Sequence, residues 1–143
     1  MTHFEDDIAI HVSMIHRYGS TFIGRILSDL DIGSGQHAYL LALADHAGAS
    51  QEELSRLFGV DKANTARAVK KLETKGYIRR ESNPADARAL RLFLTDSGEA
   101  TIGRIQTALK EWNEVLIAGI PEPRRAVAHE IVEALARAAS GKL

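Results

Sequence analysis

The chain has 143 residues, 45% hydrophobic and 26% charged, with a net charge of −1, which is enough for one compact domain with a core, or a small domain carrying extra helices, and argues against disorder. It has no cysteine, which excludes disulfides, thiolate zinc sites and thiol-based redox sensing. Its longest apolar run, Ala38 to Ala44, falls far short of the roughly 20 residues of a membrane span, and the acidic start "MTHFEDDIAIH" lacks the basic-then-apolar order of a secretory signal, so a cytoplasmic protein with no membrane partner is expected.

Within residues 4–30, Phe4, Ile8, Val12, Ile15, Phe22 and Ile26 recur at steps of three, four or seven, which predicts a long amphipathic helix. Ile10, Met14, Ile23, Leu27 and Leu30 form a second row off that stripe. A helix apolar on two faces has more to bury than one small core covers, so association between chains is expected. "DIGSG" ends the pattern, and Ser34 is positioned to cap a helix through "QHAYLLALADHAG". Ser50 and Glu53 in "SQEE" form a capping box that opens a third helix. That helix has Leu54, Leu57 and Phe58 on one side and Gly59 to end it. Asp61 caps the next helix, and two helices joined by so short a Gly-containing turn are a helix-turn-helix.

On that second helix Thr65, Val69 and Leu72 share the inward face, with Ala68 at its edge. Ala63, Asn64, Arg67, Lys70, Lys71 and Thr74 share the outward one, and Glu73 is the only acid in its middle turns. Small or amide side chains near a helix N-terminus approach base edges, and flanking cations hold phosphates. Asn64 and Arg67 are therefore candidate base readers, and Lys70 and Lys71 candidate phosphate clamps. Gly76 closes the helix, after which "YIRRES" and "LRLFLT" flank "NPADARA", with Leu90, Leu92 and Leu94 alternating against Arg91 and Phe93. The pattern is a hairpin whose turn chemistry comes from Asn83 and Pro84. A hairpin in that place is a wing: Arg88 is placed to enter a minor groove, and Asp86 to orient its guanidinium. Gln51, Lys62 and Arg91 complete the candidate DNA contacts.

Residues 50–91 hold ten Lys/Arg against six Asp/Glu, a net +4 that leaves −5 for the rest of the chain. A cationic block in an acidic protein is either a solvated helix face or an anion-binding surface. Downstream, "DSGE" at 96–99 starts a helix with Asp96 as cap and Glu99 as its return partner. Ile102, Ile105, Leu109, Trp112 and Leu116 follow as one stripe, "GIPEPR" stops it, and Val127, Ile131 and Leu135 mark a last amphipathic helix. The fold class expected is mostly α with a small β-hairpin wing, a winged helix-turn-helix core flanked by N- and C-terminal dimerisation helices. The boundaries fall at residues 1–32, 33–99 and 100–143.

From "GQHAYLL" to "FLTDSG", about residues 33–99, the chain resembles the winged helix-turn-helix core of the MarR family of bacterial transcriptional regulators. The resemblance rests on "SQEEL", "GVDK", the "KLETKGYIRR" that closes the recognition helix, the "NPADAR" wing and "LTDSG". It implies a homodimer built from the terminal helices that binds a pseudo-palindromic operator, usually as a repressor released by a small ligand. By position Arg67 matches the family's recognition-helix arginine, and Asp86 and Arg88 its wing pair. Ala87 and Leu90 stand where many relatives carry basic residues, and Thr65 and Ala68 where Val and Leu are usual. In such proteins the ligand cleft lies between the dimerisation helices and the winged helix, where His11, Tyr18, Tyr39 and Trp112 are the candidate linings for a small aromatic or amphipathic effector.

Catalytic signatures are missing. His11 and His16 are five apart, about 140° around a helix, so they do not share a metal as i, i+4 histidines do. His37 and His46 lie at opposite ends of one helix, and no nucleophile elbow, P-loop or dinucleotide fingerprint is present. No enzyme activity, cofactor or metal is expected. Two readings remain: a dimeric regulator whose partner is double-stranded DNA, and a winged-helix module whose cationic helix meets an acidic protein.

Overall fold

The computed structural model describes residues 7–33 and 35–142. Six helices and one hairpin follow in order: α1 (Ile8–Ile26), α2 (Gln36–Asp45), α3 (Gln51–Phe58), α4 (Lys62–Thr74), β1 (Ile78–Asn83), β2 (Asp86–Leu94), α5 (Asp96–Ala118) and α6 (Arg125–Ser140). Short 3-10 turns at Ser28–Leu30 and Glu122–Arg124 follow α1 and precede α6.

Local chemistry sets most of these boundaries. Asp7 starts α1 by accepting from the Ala9 amide at 2.8 Å. The helix ends at Ile26 and not at residue 30, because the chain tightens into the 3-10 turn and Asp31 takes a left-handed conformation with φ 52°. Phe4 and Ser34 lie outside the described residues. The N-cap of α2 is Gly35 at φ 81°, with no side-chain cap. The α3 capping box is complete, with the Glu53 amide donating to Ser50 Oγ at 3.1 Å and the Ser50 amide to Glu53 Oε2 at 2.8 Å. Gly59 at φ 61° ends that helix, where a Cβ is strained.

The core gathers Leu40 and Leu43 of α2, Leu54 of α3, Val69 and Leu72 of α4, Ile78 and Leu92 of the hairpin, Ile105 and Ala108 of α5, and Ile23 and Leu27 from the end of α1. Thr65 is fully buried among them. Its Oγ1 accepts from the Ser55 hydroxyl at 2.9 Å and lies 3.5 Å from Tyr39 Oη, so the polar atom that replaces an aliphatic branch is satisfied. Leu57 departs from the expected packing: it stays 54% exposed while Leu54 is buried and Phe58 packs edge-on against Tyr39 at 5.0 Å.

The strands are longer than their sequence suggests. They continue into "NPADARA" until Asn83 pairs with Asp86, with a register irregularity at Ser82/Asn83, so only Pro84 and Ala85 remain in the turn. Leu92 and Leu94 are buried, but Leu90, nearer the tip, is exposed. The loop before α3 adds a rung to the outer edge of β2: the Gly48 amide donates to Leu92 O at 2.8 Å and the Leu92 amide to Ala49 O at 2.9 Å. Thr95, and not Asp96, caps α5, its Oγ1 accepting from the Gly98 amide at 3.1 Å. Thr95 prevails because its own amide donates to Tyr77 O at 3.0 Å, fixing it where strand becomes helix. Gly98 is required there, since a Cβ would stand 2.2 Å from that same Tyr77 oxygen.

Outside this core, apolar surface is left uncovered. Ile8, Val12, Ile15 and Tyr18 of α1, Val115 and Leu116 of α5, and Val127, Ile131, Val132 and Leu135 of α6 are all exposed in the single chain, and no residue of α6 is buried. None of the described helices is long and apolar enough to cross a membrane.

Candidate nucleic-acid interface

The cationic surface is built on α4. Burial of Thr65, Val69 and Leu72 fixes the helix rotation, and Lys62, Ala63, Asn64, Arg67, Lys70, Lys71 and Thr74 are exposed as a result. Asp61 takes both polar groups of Asn64: Oδ1 accepts from its backbone amide at 2.7 Å and Oδ2 from Nδ2 at 2.6 Å. Asn64 Oδ1 in turn accepts from Arg67 Nη2. Glu73, the acid of the middle turns, is paired with Arg80 Nε at 2.7 Å, so it does not cancel the charge of the outward face. Lys62 Nζ lies 3.5 Å from Glu52 Oε1 with both side chains well exposed, an ion pair weak enough to exchange for a phosphate. Beside Arg67 and Lys71 a cleft of about 420 Å3 opens toward Gly35 at the start of α2, with Tyr39 and Phe58 in its wall.

The wing projects next to α4. Asp86 and Arg88 are both exposed, and the Asp86 carboxylate accepts from the Arg88 backbone amide at 3.0 Å. Among the described residues no ion pair joins Asp86 to the Arg88 guanidinium, and the contact that Asp86 makes with Arg88 is to its backbone amide. The reason is geometric: two residues apart at the mouth of a hairpin, a short carboxylate reaches the backbone first. Arg91 points to the opposite face, its Nε donating to Gly48 O at 3.4 Å and its guanidinium 5.7 Å from the Phe93 ring, where Arg79 also stacks at 4.7 Å. Gln51 stands in the first turn of α3, half-buried, with Oε1 enclosed and without a hydrogen-bond partner.

A winged helix-turn-helix with this cationic helix has close counterparts. Residues 30–89 match the family model described as MarR family. The uncharacterized HTH-type transcriptional regulator YybA of Bacillus subtilis is 30% identical over 114 residues, 80% of this chain and 76% of that protein. The chain belongs to the MarR family. A MarR transcriptional regulator from Methanosarcina mazei superposes with a TM-score of 0.88 at 32% identity, covering 95% of this chain and 98% of that one. The HTH-type transcriptional regulator BilQ of Clostridioides difficile is 35% identical over 89 residues, 62% of this chain; the match spans 60% of that relative's length. The mostly helical fold with a two-stranded wing is thus that of MarR regulators, and the family and its named relatives are transcriptional regulators, not enzymes.

Within this MarR chain the four candidate effector residues do not gather. His11 is exposed on α1 with Nδ1 3.0 Å from Asp7 O, and Tyr18 is 63% exposed beside Met14, Arg17 and Thr21. Trp112 packs on Phe22 with ring centroids 5.3 Å apart. Tyr39 instead belongs to the winged core, buried against Phe58 and walling the cleft by Arg67. Its helix rotation explains this, because Tyr39, Leu40 and Leu43 of α2 all turn inward together.

Two anchors of the fold carry no local sequence signal. Arg104 of α5 makes a bidentate pair with Asp29 at 2.6 and 2.7 Å, which holds the Asp29 carboxyl below its usual range and ties the end of α1 to α5. The Tyr77 hydroxyl donates to Leu30 O at 2.8 Å from the far side of the same turn. Both join residues more than 45 positions apart, so no local pattern announces them.

Proposed function

We propose that this protein is a sequence-specific DNA-binding regulator that acts as a homodimer on a pseudo-palindromic operator. In this reading α4 of each subunit enters the major groove, Lys70, Lys71 and Lys62 hold phosphates, and Arg88 reaches the adjoining minor groove from the wing. The observation that carries it is the exposed face of α4, where Arg67 sits amid lysines with the helix's one mid-turn acid paired away on Arg80. The uncovered apolar faces of α1, α5 and α6 support the dimer, since large apolar side chains left exposed on three helices mark an association surface. Repression fits a protein that occupies DNA, and a small aromatic or amphipathic effector would act by favouring one spacing of the two α4 helices. A regulator of this kind works in the cytoplasm beside the chromosome.

The test is selection from randomised duplex DNA at near-physiological salt by the wild type and by an Arg67→Ala/Arg88→Ala variant. The reading predicts that the wild type alone enriches an inverted repeat with half-sites about 10 base pairs apart, centre to centre. Enrichment of no sequence by either protein would reject it in favour of a cationic surface that meets an acidic protein.

A further inference from the structure

The two residues expected to read bases separately are joined side chain to side chain. Asp61 Oδ2 accepts from Asn64 Nδ2 at 2.6 Å, and Asn64 Oδ1 accepts from Arg67 Nη2. The amide orientation follows from chemistry alone, because a carboxylate only accepts and a guanidinium only donates, so no flip of Asn64 satisfies both neighbours. Asp61 is itself fixed, its other oxygen capping α4 through the Asn64 backbone amide at 2.7 Å. A helix cap, an amide and a guanidinium thus form one chain over a single turn of the exposed face of α4.

Resting on the DNA-binding reading above, we infer that Asn64 is a positioning residue for Arg67 rather than an independent reader of adenine. A free arginine samples many rotamers and loses that freedom on binding. Here the Asp61–Asn64 pair holds the guanidinium before DNA arrives, leaving its outer N–H fork for the O6 and N7 acceptors of a guanine. Asn64 therefore contributes to specificity at the base pair that Arg67 meets, and not at a pair of its own.

The experiment repeats the duplex selection with Asn64→Ala, Asn64→Asp, Arg67→Ala and the Asn64→Ala/Arg67→Ala double variant. Asp61 still caps the backbone in all four, so they fold, and unchanged thermal midpoints verify this. Arg67→Ala is expected to lower the preference for guanine at one base pair per half-site by about tenfold or more. Asn64→Ala should weaken that same pair roughly threefold, and the double variant should lose no more than Arg67→Ala alone, as coupled residues do. Asn64→Asp retains an acceptor for the guanidinium but has no amide donor, so it keeps the guanine preference although overall affinity falls.

In the DNA-free protein, rotation about the Arg67 Nε–Cζ bond, read by NMR, should be faster in Asn64→Ala than in the wild type. Equal rotation rates, a change at a different base pair in Asn64→Ala, or additive losses in the double variant would each overturn the positioning role while leaving DNA recognition intact. A wild type that selects no sequence would overturn DNA recognition itself, and this role with it.

Discussion

Thr65 shows how a polar residue occupies a core position without destabilising it. Its hydroxyl is the acceptor for Ser55 Oγ at 2.9 Å where α3 crosses α4. Thr65→Val keeps the shape but strands the buried Ser55 donor, and an unsatisfied buried group costs about 1–3 kcal/mol. Urea unfolding should therefore show Thr65→Val destabilised by about that amount, with Thr65→Val/Ser55→Ala recovering most of the loss because no donor is left alone. A double variant as unstable as the sum of both single ones would mean that the two hydroxyls act separately. His37, half-buried on α2, has its pKa lowered because burial disfavours the charged ring. The folded state then binds its proton less readily than the unfolded chain, so stability is lost as pH falls below about 6.5 toward the lower folded value. Melting at pH 7.5 and pH 5 should show a drop that is smaller in His37→Gln; an equal drop would place the acid sensitivity elsewhere.

At the scale of elements, caps and periodicity were legible, and long-range ties were not. The capping box at Ser50 and Glu53, the Gly59 stop, the Asp61 cap and the inward face of α4 can all be read from neighbours a few positions apart, and the fold contains each. Thr95 displaced Asp96 as the cap of α5 because the decisive contact, to Tyr77, comes from 18 residues away. The strands outran their apolar alternation because backbone pairing propagates to the turn regardless of side chain. The same limit applied to the interface. The outward residues of α4 followed from rotation, whereas the backbone role of Asp86, the tie of Arg91 to Gly48 and the burial of Tyr39 depended on geometry between elements. Gly98→Ala offers a sharp check on the junction of β2 and α5, since its methyl would meet Tyr77 O at 2.2 Å. That variant should unfold at much lower urea than the wild type, with a cost in the range of about 1–3 kcal/mol for a forced backbone shift, and wild-type stability would show that the junction opens freely.

For the whole molecule, the charge split acquires a spatial meaning. The cationic segment lies on α4 and the wing, whereas α1, α5 and α6, whose apolar faces await cover, together carry no net charge. In the dimer proposed above those faces meet each other, and the two α4 helices are set at a fixed separation. Ile131→Glu/Val127→Glu on α6 puts charge into that contact without touching the winged core. Light scattering on a sizing column should then find the variant at half the mass of the wild type, with operator affinity lowered by at least tenfold, since a lone half-site forgoes the second set of contacts. A variant of unchanged mass would place the dimer contact on other surfaces.

In the dimer proposed above, two α4 helices read guanines in successive major grooves through Arg67. The most direct measurement is methylation protection at guanine N7 on the selected duplex, with wild type and Arg67→Ala side by side. One protected guanine cluster per half-site is expected, the two about 10 base pairs apart, with protection lost in Arg67→Ala. Protection that persists without Arg67, or guanines equally reactive with and without the wild-type protein, would contradict it.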